Sequence, residues 1–89
     1  MGADEMKVRR REWAELRDRS TGIRDVAGGV AIGLAADESL DRVANLAARE
    51  SECCAFYTFM LRIEGRQREL EVTAGEGREI AARVLLGLA

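Results

Sequence analysis

Nine glycines and the complete absence of proline set the boundaries between regular segments in this 89-residue chain. Without proline, glycine is the strongest local breaker that remains. The residues from Glu5 to Ser20 favour a helix, and Gly22 stands where its C-terminal cap is expected. From Val26 to Ala35 large and small residues alternate, which predicts a strand that is entered through a bulge at Gly28-Gly29.

The rest of the chain predicts a helix, a hairpin and a further helix. Asp37 or Ser39 can cap the second helix, because either side chain can accept a free backbone N–H of its first turn. The segments Phe56 to Ile63 and Glu69 to Ala74 are rich in strand formers or alternate in polarity, and together they predict a β-hairpin. The last helix is expected from Arg78 to Leu88.

Each of the two later helices carries an apolar stripe that predicts its buried side. On the second helix the stripe is formed by Leu40, Val43, Ala44, Ala47 and Cys54. On the last helix it is formed by Ile80, Val84, Leu85 and Leu88. In the first helix, Arg9-Arg10-Arg11 is interpreted as a solvated face and Trp13 as a packing anchor.

The predicted order α-β-α-β-β-α indicates one α+β domain over residues 1–89, with an N-terminal helix in 1–22 and an α+β core in 23–89. We expect a three-stranded antiparallel sheet with the helices on one face, as in half of a ferredoxin-like fold. The other face would be open and lined by small or uncharged residues, namely Ala31, Gly33, Ala35, Thr58 and Met60.

Composition excludes several classes of function. The 14 basic and 16 acidic residues give a net charge of -2, so nucleic-acid binding is not expected. No apolar run approaches the roughly 20 residues that a bilayer span needs, and we expect a soluble cytoplasmic protein with no membrane partner. Histidine is absent, which removes histidine metal ligands and histidine general bases.

Cys53 and Cys54 are adjacent, and they form the most unusual chemistry in the sequence. Neighbouring Cα atoms lie about 3.8 Å apart, below the roughly 4.4 Å minimum of ordinary disulfides, so two free thiols in a reducing compartment are expected. Thiolates are soft ligands, and two in sequence are a candidate site for Hg(II), Cu(I) or Zn(II). Glu50 would serve as an auxiliary ligand or a proton carrier.

The expected position of the two thiols, where the second helix gives way to a strand, decides their ionisation. A helix C-terminus disfavours negative charge, and Glu50 and Glu52 add repulsion, so a depressed pKa is not expected for these cysteines. A bound metal ion would reverse that balance. Alternatively the pair fills the core, since free cysteine is often buried as a small hydrophobic residue.

The ten residues from Glu50 to Phe59 resemble the core motif of a bacterial family, Glu-x-Glu-Cys-Cys-Pro-Phe-x-x-Phe. Its members are small free-standing proteins or C-terminal extensions of MerR-like metal-responsive regulators. Ala55 replaces the family's proline, which would restrict the residue before it and fix the end of the helix. The positions that match the motif are Glu50, Glu52, Cys53, Cys54, Phe56 and Phe59. The resemblance implies a thiol-based role in heavy-metal handling, with a metal-responsive regulator as a partner.

Three functions therefore remain open. The leading hypothesis is a small thiol protein that binds or senses a soft metal ion and is not an enzyme, with no organic cofactor. The second is an enzyme in which two thiols hold mercury while Glu50 protonates the departing carbon, or in which the thiols turn over in redox chemistry. The third is a structural or dimerisation module whose cysteines only fill the core.

Assembly is the last expectation. An alanine-rich chain of this size has a limited core, and subunit association is a usual remedy. We expect a homodimer formed through the open sheet face or by antiparallel packing of the first helix, on which Trp13 looks exposed.

Overall fold

The computed structural model describes residues 3–88, which form three helices and four strands. In chain order these are α1 (Ala3–Arg19), β1 (Gly22–Val26), β2 (Gly29–Gly33), α2 (Leu40–Cys53), β3 (Thr58–Glu64), β4 (Gln67–Thr73) and α3 (Glu79–Leu85). The α+β class is confirmed. Within residues 3–88, no helix combines the length and apolar character needed to cross a bilayer.

The strands form one antiparallel sheet in the order β1-β2-β4-β3. The prediction of three strands in an α-β-α-β-β-α order is wrong, because β1 is a strand of its own. Its residues are almost all exposed at the edge of the sheet, so it lacks the pattern of one buried face by which strands are recognised in a sequence.

Gly28 lies in the turn between β1 and β2, and Gly29 is the first residue of β2, so neither forms the predicted bulge. Gly28 has a φ of 82°, a left-handed conformation that glycine adopts without steric cost. Gly29 lies so close to β4 that an added Cβ would fall 2.9 Å from the Cα of Thr73. The pair of glycines therefore allows a tight hairpin and a close contact between the central strands.

The core lies between the sheet and the helices, and it includes α1. Trp13 and Leu16 of α1 pack in one cluster with residues of β2, α2, β4 and α3. Trp13 is fully buried, which confirms its interpretation as a packing anchor and contradicts its expected exposure. The indole ring stacks on Phe59 of β3 with 5.6 Å between ring centroids.

Helix α2 begins after Ser39, whose side-chain oxygen accepts a hydrogen bond from the backbone N–H of Arg42 at 3.3 Å. Ser39 is therefore the N-cap, one of the two predicted candidates. The buried residues of the helix are Val43, Leu46, Ala47 and Glu50. Ala44 is exposed, so its place on the predicted stripe is wrong, and a carboxylate occupies the inner side one turn after Leu46.

The predicted stripe of the last helix is only half right: Leu85 and Leu88 pack against the core, but Ile80 and Val84 do not. Ala82 and Leu86 are completely buried, whereas Ile80 and Val84 are 62% and 58% exposed. The small Ala82 lets the helix lie against the sheet, and the larger side chains two positions before and after it then point outward. This leaves two branched apolar residues on the surface.

The sheet face away from the core is crossed by ion pairs. The register places Arg24, Ala31, Glu71 and Met60 side by side across the four strands, so they share this face. Arg24 pairs with Glu69 at 2.7 Å, and an arginine of β3 pairs with Glu71 at 3.6 Å. The predicted small residues are therefore accompanied by charges, and the face is not an apolar surface.

Candidate metal centre

The two cysteines lie where α2 ends. Cys53 is the last helical residue, and Cys54 is the C-cap, with φ -130° and ψ 88°. Its backbone N–H still donates to the carbonyl oxygen of Glu50 at 2.8 Å. The change of backbone conformation between two adjacent residues lets their side chains turn toward one region, which a continuous helix would hinder.

Glu50, Cys53 and Cys54 come together at this helix end. One carboxylate oxygen and the two Sγ atoms all lie within 4.8 Å of one another. Glu50 is buried, Cys54 is half-buried and Cys53 is exposed. Neither thiol therefore fills the core, and the three side chains form a donor set that is reachable from solvent on one side.

The carboxylate of Glu50 is held by two residues of α1. Arg9 Nε and Trp13 Nε1 each donate a hydrogen bond to Oε1 of Glu50, both at 2.9 Å. The Arg9 and Glu50 side chains are only 8% and 6% exposed, and a charge this deeply buried needs a partner of opposite sign. The helix that looked most polar in the sequence thus supplies the positive charge of the site.

The interpretation of Arg9-Arg10-Arg11 as a solvated face is wrong for Arg9. Arg10 and Arg11 are exposed, whereas Arg9 points inward with Trp13, four residues later. This i, i+4 spacing puts both donors on one side of α1, but no sequence signal pairs that side with Glu50.

The donor set opens into a cleft of about 310 Å³ between α1, the end of α2 and α3. Its wall includes Trp13 and Tyr57 in addition to the metal-ligand candidates, and the Tyr57 hydroxyl donates to the carbonyl oxygen of Ala81 at 3.0 Å. The other apolar lining side chains are those of Met6, Ala14, Val84 and Leu85. A small organic group, and not only an ion, fits in this space.

Burial raises the pKa of the Cys54 thiol, and a hydrogen bond with Cys53 and the negative charges of Cys53 and Glu50 raise it further. Burial likewise raises the pKa of Tyr57, with added repulsion from Cys54 and Glu50. The expectation that the thiols lack a depressed pKa is therefore confirmed for Cys54. At neutral pH this thiol keeps its proton until an electrophile or a cation displaces it.

The remaining motif residues lie around the site. Phe59 stacks on Trp13, as described above, so it supports the site indirectly through the indole ring. Phe56 is 42% exposed, and its ring lies against Tyr57 at 4.5 Å and below the Arg78 guanidinium at 5.2 Å. Glu52 is exposed and is not part of the donor set.

Comparison of the chain with protein-family models, with curated proteins and with solved structures found no match in any of the three. The resemblance of residues 50–59 to the Glu-Cys-Cys family stays a prediction. The function must therefore be inferred from the chemistry of the site itself.

Proposed function

We propose that this protein binds or senses a soft metal ion through Cys53 and Cys54, with Glu50 as an auxiliary ligand. The observation that carries the proposal is the convergence of two sulfur atoms and one carboxylate oxygen within 4.8 Å at the mouth of a cleft. Sulfur donors select Hg(II), Cu(I) or Zn(II) over hard ions such as Mg(II).

The electrostatics of the site suit a cation. Ionising both thiols beside Glu50 would place three negative charges together, and the Arg9 guanidinium that pairs with Glu50 offsets only one of them. A bound divalent or monovalent soft ion supplies the missing positive charge and deprotonates the thiols that coordinate it. Binding therefore releases protons.

The contacts of Glu50 favour binding over catalysis. An enzyme that cleaves a carbon–metal bond would use Glu50 to deliver a proton to carbon. Oε1 of this carboxylate is instead the acceptor of two hydrogen bonds, which supports a ligand or a fixed charge. Redox turnover is also disfavoured, because the raised pKa of Cys54 lowers its thiolate fraction.

Titration of the reduced protein with Hg(II), Cu(I) and Zn(II) tests the proposal. Thiolate-to-metal absorption reports sulfur coordination, and competition with a chelator gives the affinity. The test variant is Cys53→Ser/Cys54→Ser. The matched control is Glu52→Gln, which changes an exposed carboxylate of the same helix end outside the donor set.

We expect tight binding of Hg(II) and Cu(I), weaker binding of Zn(II), loss of all three in the double serine variant and no change in the control. Equal affinity of the parent and the double serine variant would contradict the proposal. Multiple turnovers on an organomercurial or a disulfide substrate would favour the enzyme instead.

We also propose that the protein acts in the reducing cytoplasm as a homodimer, in partnership with a metal-responsive regulator. Exposed Val8 on α1 supports association through this helix. The charged open face of the sheet is less suited to it, because the ion pairs there would have to be desolvated.

A further inference from the structure

The cleft next to the thiols is larger and more apolar than an ion requires. Its volume of about 310 Å³ falls at the lower end of the range of small-molecule sites, roughly 300 to 1,000 Å³. Aromatic rings of Trp13 and Tyr57 and aliphatic side chains of Met6 and Val84 line it. A bare ion on the sulfur atoms would leave the exposed Met6 and Val84 side chains of this wall in contact with water.

We propose that the site takes a trivalent arsenic compound with one organic group, in which Cys53 and Cys54 bind the arsenic and the cleft holds the organic group. The proposal rests on the proposed function, since it uses the same two thiols, and it names the class of ligand. Arsenic(III) is a soft centre and prefers sulfur to oxygen donors.

The number of thiols in the site matches the number of ligands that a monosubstituted arsenic(III) compound can exchange. An arsenic(III) atom with one carbon substituent has two positions left for exchange, and the site offers two adjacent thiols. Organomercury cations take one thiolate in a linear arrangement, which leaves the second cysteine unused. Glu50 need not bind the arsenic, because Arg9 and Trp13 already bind its Oε1.

The exchange is balanced without an oxidant or a reductant. An organoarsonous acid, R–As(OH)₂, reacts with the thiols of Cys53 and Cys54. Two S–H bonds and two As–O bonds break, two As–S bonds and two O–H bonds form, and two water molecules leave. Arsenic keeps its trivalent state. No net charge is created beside Glu50.

The organic group of the arsenic compound would occupy the cleft next to the thiols. Cys53 is exposed and Cys54 is half-buried, so an arsenic atom bound to both lies at the mouth of the cleft with its third substituent free to point inward. Met6 and Val84, which are 41% and 58% exposed, belong to opposite helices and would lose contact with water when a phenyl ring enters. Burial of this apolar area favours the organic ligand over arsenite.

The test compares phenylarsine oxide, which hydrates to phenylarsonous acid, with arsenite on the reduced full-length chain. Affinity is measured by competition with a small dithiol, and intact mass gives the stoichiometry. The cleft variant is Met6→Ser/Val84→Ser. The matched control is Ile63→Ser/Ile80→Ser, which changes two exposed apolar residues outside both the cleft lining and the proposed α1 interface.

We expect one phenylarsenic group per chain with both thiols consumed. The cleft variant should bind phenylarsine oxide about fivefold more weakly and arsenite unchanged, whereas the control variant should match the parent for both. Equal phenylarsine affinity in the parent and the cleft variant would overturn this inference. Binding of Hg(II) through both cysteines together with that result would leave the proposed function intact, and failure of all three probes would overturn both.

Discussion

Glu50 accepts a hydrogen bond from the indole of Trp13 at 2.9 Å, although the two residues are 37 positions apart. The bond joins the end of α2 to the middle of α1. It orients the carboxylate that faces the two thiols, and it satisfies the polar N–H of a fully buried ring. The candidate metal site and the core are therefore built from shared side chains.

Replacement of Glu50 by glutamine should destabilise the fold strongly. Glu50→Gln removes the negative charge that faces buried Arg9, and the loss of one partner from a buried ion pair costs about 3 kcal/mol or more. Urea unfolding measures the effect. The control is Glu38→Gln, since buried Glu38 pairs with an Arg19 side chain that is 41% exposed and can be hydrated. An equal loss in the two variants would contradict the prediction.

Trp13→Phe should cost about 2 kcal/mol, because the ring stack on Phe59 can persist while the hydrogen bond to Glu50 is lost. The double variant with Glu50→Gln should lose less than the sum of the single effects, since both changes break the same contact. Urea unfolding of the four proteins gives this coupling energy. Strict additivity would show that the 2.9 Å contact contributes nothing.

Alkylation should separate the two cysteines. Cys53 is exposed and should react first, whereas half-buried Cys54 has a raised pKa and a smaller thiolate fraction at neutral pH. The rate at Cys54 should keep rising past pH 9.0, its ordinary pKa value, and its pH profile should move to lower pH in urea. Iodoacetamide labelling followed by peptide mass analysis measures both rates. Identical pH profiles in folded and unfolded protein would refute the assignment.

Substitution of a glycine by alanine should destabilise the sheet far more at Gly29 than at Gly22. An added Cβ at Gly29 meets the backbone of Val72 and Thr73, while at Gly22 nothing lies within 4 Å. Gly29→Ala should therefore lose at least about 2 kcal/mol through overpacking, and Gly22→Ala should change stability by less than about 0.5 kcal/mol. Thermal unfolding of both variants measures the difference. A tolerated Gly29→Ala would mean that β2 and β4 can separate locally.

Sedimentation equilibrium at micromolar concentration should give a dimer under reducing, metal-free conditions. Val8→Asp should return the protein to a monomer, because it replaces an exposed apolar side chain of α1 by a charge. Ile63→Asp, at the exposed end of β3, is the control and should stay dimeric. A mass near 9.8 kDa for the parent would refute the dimer.

Much of the architecture followed from local patterns. All six predicted segments correspond to a helix or a strand, since periodic apolar residues and a cap at Ser39 are local signals. Strand β1 was missed because Ile23, its most apolar residue, is 42% exposed and the strand has no buried side to mark it. Ile80 and Val84 were wrongly placed on the inner side of α3, because the small Ala82 makes the close contact with the sheet instead.

For the candidate site too, some residues could be predicted from the sequence and others could not. Cys53, Cys54 and Glu50 could be identified because adjacent thiols and an acidic residue one turn earlier are visible in the sequence. Arg9 and the hydrogen-bonding role of Trp13 could not, since their partner lies 41 and 37 positions away. No spacing rule links such distant residues; only the packing of α1 on α2 brings them together.

The central pairing of β2 with β4 has a kinetic consequence. Gly29 pairs with Thr73 and Gly33 with Glu69, so the ladder closes a loop of about 40 residues that contains α2 and both cysteines. The two hairpins can form within microseconds from neighbouring residues, but this closure must pay the entropy of a long loop and should limit the folding rate. An ion that bridges Cys53 and Cys54 links only adjacent residues and closes no such loop. Metal should therefore slow unfolding without accelerating folding.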